Sequence, residues 1–228
     1  TLIPGVRLDW HRLSPDSGVI NPGTGLPAAD TDATAVSPKI AALYKFNDSF
    51  SVFGSIAHTE RFPTVDEVFS TASSSATFLP SLDLRKERSN NFEAGFAVSG
   101  NSVFQEGDAA QVKVTGFYND VTDLIALASP FTPGFNNRTG FVNVDEAEIY
   151  GFEVEAAYDA DYIFANAAYS HVVGKNKKTD IDLTTVAPHE LALTIGGKLP
   201  EHDLRFGWRA RFVAAPQDRA LRSDAPLG

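Results

Sequence analysis

The sequence contains no cysteine and no methionine, and its 19 lysine and arginine residues are outnumbered by 29 aspartate and glutamate residues, giving a net charge of −10. Without thiols there is no disulfide and no thiolate metal site, which excludes the commonest structural zinc arrangements. The shortage of positive charge argues against a nucleic-acid partner, because phosphate binding needs concentrated Lys and Arg. The one basic cluster, Lys175 to Lys178, holds three lysines and reads as a solvated loop. There is no run of roughly eighteen apolar residues to form a spanning helix, and no basic segment followed by an apolar one that reads as a signal peptide. The lack of any Met leads to the expectation that the chain is a piece of a longer translation product. Catalytic signatures are missing too: there is no His-Glu-x-x-His, no Gly-x-Ser-x-Gly and no phosphate-loop lysine. Asp108, Asp180 and Asp182 sit in loops without the regular ligand spacing of a calcium site, and read as solvated acids.

What is present is alternation with a period of two, the mark of a strand with one apolar and one polar face. From Leu204 to Phe212, Leu204, Phe206, Trp208, Ala210 and Phe212 share one face, while Arg205, Arg209 and Arg211 occupy the other. From Tyr150 to Tyr158 the apolar face carries Tyr150, Phe152, Val154 and Tyr158, opposite Glu153 and Glu155. Similar patterns cover Val6 to His11, Lys39 to Phe46, Phe50 to Phe62, Asn91 to Ser99, Gln111 to Leu127, Tyr162 to Val173 and Glu190 to Leu199. Nine strands are therefore predicted, and the chain is all-β.

The connections alternate in length. Long ones are predicted at about 13–37, 63–88, 128–140 and 174–189, and shorter ones at 47–49, 100–110, 159–161 and 200–203. Antiparallel strands joined in this way gather the long loops at one end and the short turns at the other. Bacterial outer-membrane barrels show this asymmetry, with long extracellular loops, short periplasmic turns, and strands that are apolar outside and polar inside. An Arg facing lipid near the bilayer midplane costs roughly 2–4 kcal/mol, so Arg205, Arg209, Arg211, Glu153 and Glu155 are expected to face the lumen. Aromatic residues at strand ends, such as Trp10, Tyr44, Tyr158 and Tyr162, suit interfacial girdles. Nine strands do not close a membrane barrel, since every edge must be paired in lipid. The expected whole is a large barrel of about 22 strands with a plug, and the plug domain is absent from this segment.

Two stretches carry a family resemblance: Glu60-Arg61-Phe62-Pro63-Thr64-Val65-Asp66-Glu67-Val68-Phe69, and the run from Pro80 through Leu82, Leu84, Glu87, Ser89 and Asn91 to Phe96. They resemble the Phe-Arg-Ala-Pro box with its Thr-x-x-Glu-Leu continuation, and the Asn-Pro-x-Leu-x-Pro-Glu-x-Ser segment, of TonB-dependent outer-membrane receptors. Gly116-Phe117-Tyr118-Asn119-Asp120 and Ile149-Tyr150-Gly151-Phe152-Glu153 resemble that family's next two strands, in family order. The fullest similarity is to haem and haemoglobin receptors. The resemblance implies an outer-membrane receptor for active uptake of an iron-bearing ligand, with an internal plug, outer-membrane lipid around it and a TonB complex as partner. The ligand implied is haem or a haem protein. It would be a transported ligand and not an intrinsic cofactor. A siderophore or vitamin receptor of the same architecture, a passive porin or adhesin barrel, an outer-membrane enzyme and a soluble β-sandwich are the alternatives.

The chain departs from the haem-receptor pattern between Phe69 and Pro80, where no His occurs. In the motifs, Arg61 precedes Phe62 with no Ala before Pro63, and Ser81 and Lys86 replace expected residues. Imidazole is a suitable iron ligand, and His11, His58, His171 and His189 all lie near the long-loop end. With Arg61 and Phe62 they form the candidate ligand-binding set. His58 keeps the parity of apolar Ile56, which weakens it, whereas His11 shares the polar face of Arg7 and Asp9. His202 falls in a short turn.

Overall fold

The computed structural model describes residues 1–16, 18–20, 27–69, 80–128, 140–183 and 186–215. They form one sheet of nine strands, β1 (Leu2–Leu13), β2 (Thr31–Lys45), β3 (Phe50–Arg61), β4 (Glu87–Asn101), β5 (Ala109–Ala128), β6 (Gly140–Asp159), β7 (Ile163–Asn176), β8 (Glu190–Leu199) and β9 (Leu204–Val213). Each strand pairs antiparallel with its chain neighbour, in unbroken sequence order. A five-residue helix, α1 (Val65–Phe69), follows β3, and a single 3-10 turn at Pro200–His202 joins β8 to β9.

Residues opposite one another in an antiparallel pair lie on the same face, so the register carries each face across the sheet. One row runs Tyr44, Val52, Phe96, Val114, Val154, Tyr169, Leu191, Phe212 without a charged residue. The row four residues away from it on the same face is equally apolar: Ile40, Ile56, Phe92, Tyr118, Tyr150, Val173. The opposite face reads Ser51, Ala97, Lys113, Glu155, Ala168, Ala192, Arg211.

The apolar face has no second layer over it among the described residues. Trp10, Leu8, Trp208 and Phe206 are more than half exposed, and the buried hydrophobic residues are few and mostly small. Leaving a large apolar side chain in water forfeits roughly 1.5–3 kcal/mol. A dozen of them exceed the net stability of about 5–15 kcal/mol typical of a folded domain. This face requires an apolar surrounding.

On the polar face, aromatic rings fill the gaps left by glycines on neighbouring strands. A Cβ at Gly151 would collide with the His171 carbonyl and press on the Phe117 ring at 3.0 Å, and a Cβ at Gly95 would meet Phe53. Pairing a glycine with a cross-strand ring is a recognised way to pin register in a curved sheet.

Several predicted boundaries need correction. The first long connection is 14–30, not 13–37, because β2 starts at Thr31; residues 31–38 pair with β1 although Asp32, Thr34 and Ser37 hide the alternation. The second is 62–86, because β4 begins at Glu87, and it contains α1. The fourth is 177–189, since β7 continues to Asn176. The third, predicted at 128–140, corresponds to 129–139, which lie outside the described residues. β6 extends ten residues upstream of Tyr150, through a stretch with polar side chains on both faces.

Candidate functional site

The long connections all leave from one end of the sheet, and the two motif segments meet there. Arg61, the last residue of β3, places Nη1 at 3.1 and 2.9 Å from the two oxygens of Glu67 and Nη2 at 3.0 Å from Glu87. Glu67 also closes a capping box at the start of α1: its carboxylate accepts the Thr64 amide at 2.7 Å, and the Thr64 hydroxyl accepts the Glu67 amide at 3.3 Å. Such reciprocal bonds satisfy donors that a helix start leaves open. Burial opposes charge on Glu67, and the hydrogen bonds from Arg61 and Thr64 outweigh it, holding the carboxyl below its usual value. The Thr-x-x-Glu spacing is thus the local reason why a helix forms after Pro63.

The second motif segment is stitched to the strand ends. Ser81 donates its amide to the Val68 carbonyl at 2.8 Å, and its hydroxyl accepts the Phe141 amide at 2.9 Å. Arg85 and Asn143 exchange two bonds, and the Arg85 guanidinium reaches Asp123 at 2.6 Å. Asp123 is nearly buried and has a left-handed backbone, φ 59°. Lys86 bridges Glu60 at 2.7 Å and the Thr34 carbonyl at 3.1 Å. Glu87, besides Arg61, accepts the Ile125 amide at 3.1 Å. The result is one polar frame tying the second long connection to β2, β3, β5 and β6. Asp123, Asn143, Glu60 and Lys86 carry it, and none was singled out from sequence as a frame residue; only the Thr-x-x-Glu spacing gave a readable signal.

The histidines separate by face. His11 lies on the polar face, and its ring stacks on Phe62 with centroids 5.1 Å apart and an interplanar angle of 26°. His58 lies on the apolar side, with Nδ1 2.8 Å from Asn90 Oδ1 and Nε2 3.9 Å from Glu60. His171 is also on the apolar side, opposite Phe152, whose ring it stacks upon at 5.4 Å. His189 stacks on His171 at 4.0 Å with an angle of 8°. His202 is in the short turn after β8. Of the candidate set, the structure brings His11, Phe62 and Arg61 together, and separates them from the His171–His189 pair. Arg61 is engaged by two carboxylates and braces α1.

Arg205, Arg209, Arg211, Glu153 and Glu155 share the polar face. Arg211 holds Glu190 in a two-pronged pair at 2.5 and 2.6 Å, Glu155 faces Lys113 at 3.6 Å, and Arg205 lies 3.9 Å over the Phe164 ring. Arg209 stands opposite Thr194. Asp108, expected as a solvated acid, is 2% exposed; its carboxylate accepts three backbone amides in its own turn and the Tyr158 hydroxyl. Among the described residues no group of three or more metal-ligating side chains occurs.

Comparison with known proteins decides what this two-faced sheet belongs to. The family described as TonB dependent receptor-like, beta-barrel, matches residues 1–225. This chain belongs to that family. Its relatives include the TonB-dependent heme receptor A of Haemophilus ducreyi, 30% identical over 199 residues, which cover 78% of this chain and 27% of the relative. The hemin receptor of Yersinia enterocolitica is 25% identical over 240 residues, 97% of this chain and 33% of the relative. Among solved structures, the copper transporter OprC superposes with a TM-score of 0.75 at 24% identity, covering 93% of this chain and 31% of that one. A double mutant of the Serratia marcescens hemophore receptor HasR, in complex with its hemophore HasA and heme, gives 0.69 at 21% identity, covering 94% and 40%. The structures share the fold. The chain spans about a third or less of the curated relatives it matches.

Proposed function

We propose that this chain is the ligand-facing part of an outer-membrane receptor barrel that takes up haem, or haem from a carrier protein, with energy supplied through a TonB complex. The match to haem and hemin receptors across most of the chain is the observation that carries this reading. The apolar face then meets outer-membrane lipid, and the face with Arg205, Arg209, Arg211, Glu153 and Glu155 lines the lumen. The long connections lie outside the cell.

His11 is the residue we assign to the ligand. It is the one histidine of the four near the long-loop end whose strand parity turns it to the polar side, and the Phe62 ring beside it offers a flat apolar surface of the kind a porphyrin plane stacks upon. Imidazole supplies an axial bond to haem iron. His58, His171 and His189 face the lipid side, away from any path through the barrel. A copper reading, prompted by the superposition with OprC, lacks soft ligands here because the chain contains neither Met nor Cys.

The test is an absorbance titration of the purified full-length receptor with haem. We expect a Soret shift that weakens in His11→Ala and persists in His171→Ala and His189→Ala. No shift from a folded receptor removes the haem reading in favour of a siderophore or vitamin ligand. A shift unchanged in His11→Ala keeps haem and moves its ligand elsewhere.

A further inference from the structure

The turn between β4 and β5 has an unusual construction for a short connection. Its sequence, Asn101-Ser102-Val103-Phe104-Gln105-Glu106-Gly107-Asp108, is polar except for two residues, and those two are held out: Phe104 is 79% exposed and Val103 49%. An apolar tip on a water-facing turn normally folds back. Here the backbone prevents it.

Asp108 is the reason. Its carboxylate sits beneath the turn and accepts the amides of Val103 at 2.6 Å and of Phe104 and Gln105 at 3.0 Å each. Ser102 donates its amide to the Asp108 carbonyl at 2.7 Å, and its hydroxyl accepts the Gly107 amide at 3.2 Å. Two residues take left-handed backbone, Ser102 at φ 54° and Gly107 at φ 84°. A non-glycine residue in that region is strained and persists when its surroundings fix it. Several hydrogen bonds, a buried carboxylate and a strained serine are committed to presenting one phenyl ring.

The direction of that ring is also fixed. Phe104 meets Tyr158 edge-on, with centroids 5.7 Å apart and planes at 70°. Tyr158 pairs with Ala110 and Ala165, on the same face as Val112, Val154 and Leu193. Its hydroxyl is tied to Asp108 at 3.0 Å, turned toward the polar turn. Phe104 therefore continues the apolar face beyond the strand end, at the short-turn edge where Tyr44, Phe46 and Tyr162 are also exposed. Aromatic residues at such an edge settle at the boundary between headgroups and acyl chains.

We infer that the turn 102–108 is a lipid anchor, in which the Asp108 carboxylate rigidly presents Phe104 and Val103 to the headgroup–acyl boundary of the leaflet at the short-turn end. This rests on the membrane reading of the apolar face given above. The occupant is phospholipid, and the anchor fixes the height at which that edge of the barrel sits.

The experiment attaches a nitroxide to single-cysteine variants of the full-length receptor in phospholipid vesicles and compares collisions with oxygen, which concentrates in lipid, against a water-soluble nickel complex. The variants are Phe104→Cys, Glu106→Cys and Trp208→Cys. Oxygen-favoured collisions at 104 and 208, with nickel-favoured collisions at 106, support the anchor. Oxygen-favoured collisions at 208 with nickel-favoured collisions at 104 overturn it and leave the membrane reading intact. Nickel-favoured collisions at 208 overturn both. In the Phe104→Cys background, Asp108→Asn is expected to raise the mobility of the label and lower its oxygen preference. An unchanged label refutes the role assigned to Asp108.

Discussion

Removing the Arg61 side chain should release α1 from the sheet while leaving the sheet paired. Arg61→Ala deletes two bonds to Glu67 and one to Glu87. The guanidinium is itself substantially exposed, and an ion pair of that kind is worth only about 0.2–1 kcal/mol. The larger cost comes from what stays behind. The Glu67 and Glu87 side chains are both more than four-fifths covered, and each loses its charged donor. A covered polar group left short of a partner costs about 1–3 kcal/mol, and Glu67 keeps its Thr64 bond, so the lower part of that range applies. Glu87 stays on β4 whether α1 is open or closed, so Glu67 alone sets the effect, and we expect about 1 kcal/mol for local opening of α1, which is roughly fivefold in amide exchange. Hydrogen exchange on the full-length receptor reads this directly in a peptide covering 64–69, with β4 peptides as the internal reference. A double-mutant cycle with Glu67→Gln should give a coupling near 1 kcal/mol. Exchange at 64–69 within about twofold of the parent would refute the brace.

Three further outcomes follow from the same geometry. Glu67 has a folded-state carboxyl below its ordinary value of 4.5, so its contribution to holding α1 is complete above that value and is lost as pH falls through the lower folded one; exchange at 64–69, corrected for intrinsic rate, should rise on acidification, and more in the parent than in Glu67→Gln. Gly151→Ala puts a methyl into the His171 carbonyl and the Phe117 ring, whereas Gly116→Ala meets nothing closer than 3.8 Å; overpacking costs about 1–3 kcal/mol, so urea unfolding in vesicles should separate the two variants by that amount. Val154→Arg, on the apolar face, should cost roughly 2–4 kcal/mol in lipid, and Glu153→Arg next to it far less, measured by the same unfolding.

The sheet was legible from sequence because a period of two needs only the identity of alternate residues, and Leu204 to Phe212 or Tyr150 to Tyr158 display it cleanly. Legibility ends where both faces turn polar. Residues 140–149 carry Asn143, Asp145, Glu146 and Glu148, and no alternation announces that β6 continues through them. The start of β2 is hidden for the same reason. His58 was placed by parity with Ile56, while His171 needed the register opposite Phe152 to show its face. The polar frame was beyond reach, because Arg85 meets Asn143 and Asp145 across 58 and 60 residues and no local pattern records such a meeting. Asp108 misled for a related reason: a loop aspartate looks solvated until the amides around it are seen.

The central claim is that the nine strands present one face to lipid and the other to the barrel interior. A nitroxide scan along β6 from residue 150 to 157, in the full-length receptor in phospholipid vesicles, tests it most directly. We predict oxygen-favoured collisions at Tyr150, Phe152, Val154 and Ala156, alternating with low oxygen preference at Gly151, Glu153, Glu155 and Ala157. Absence of a two-residue period, or a period of opposite phase, would contradict the claim.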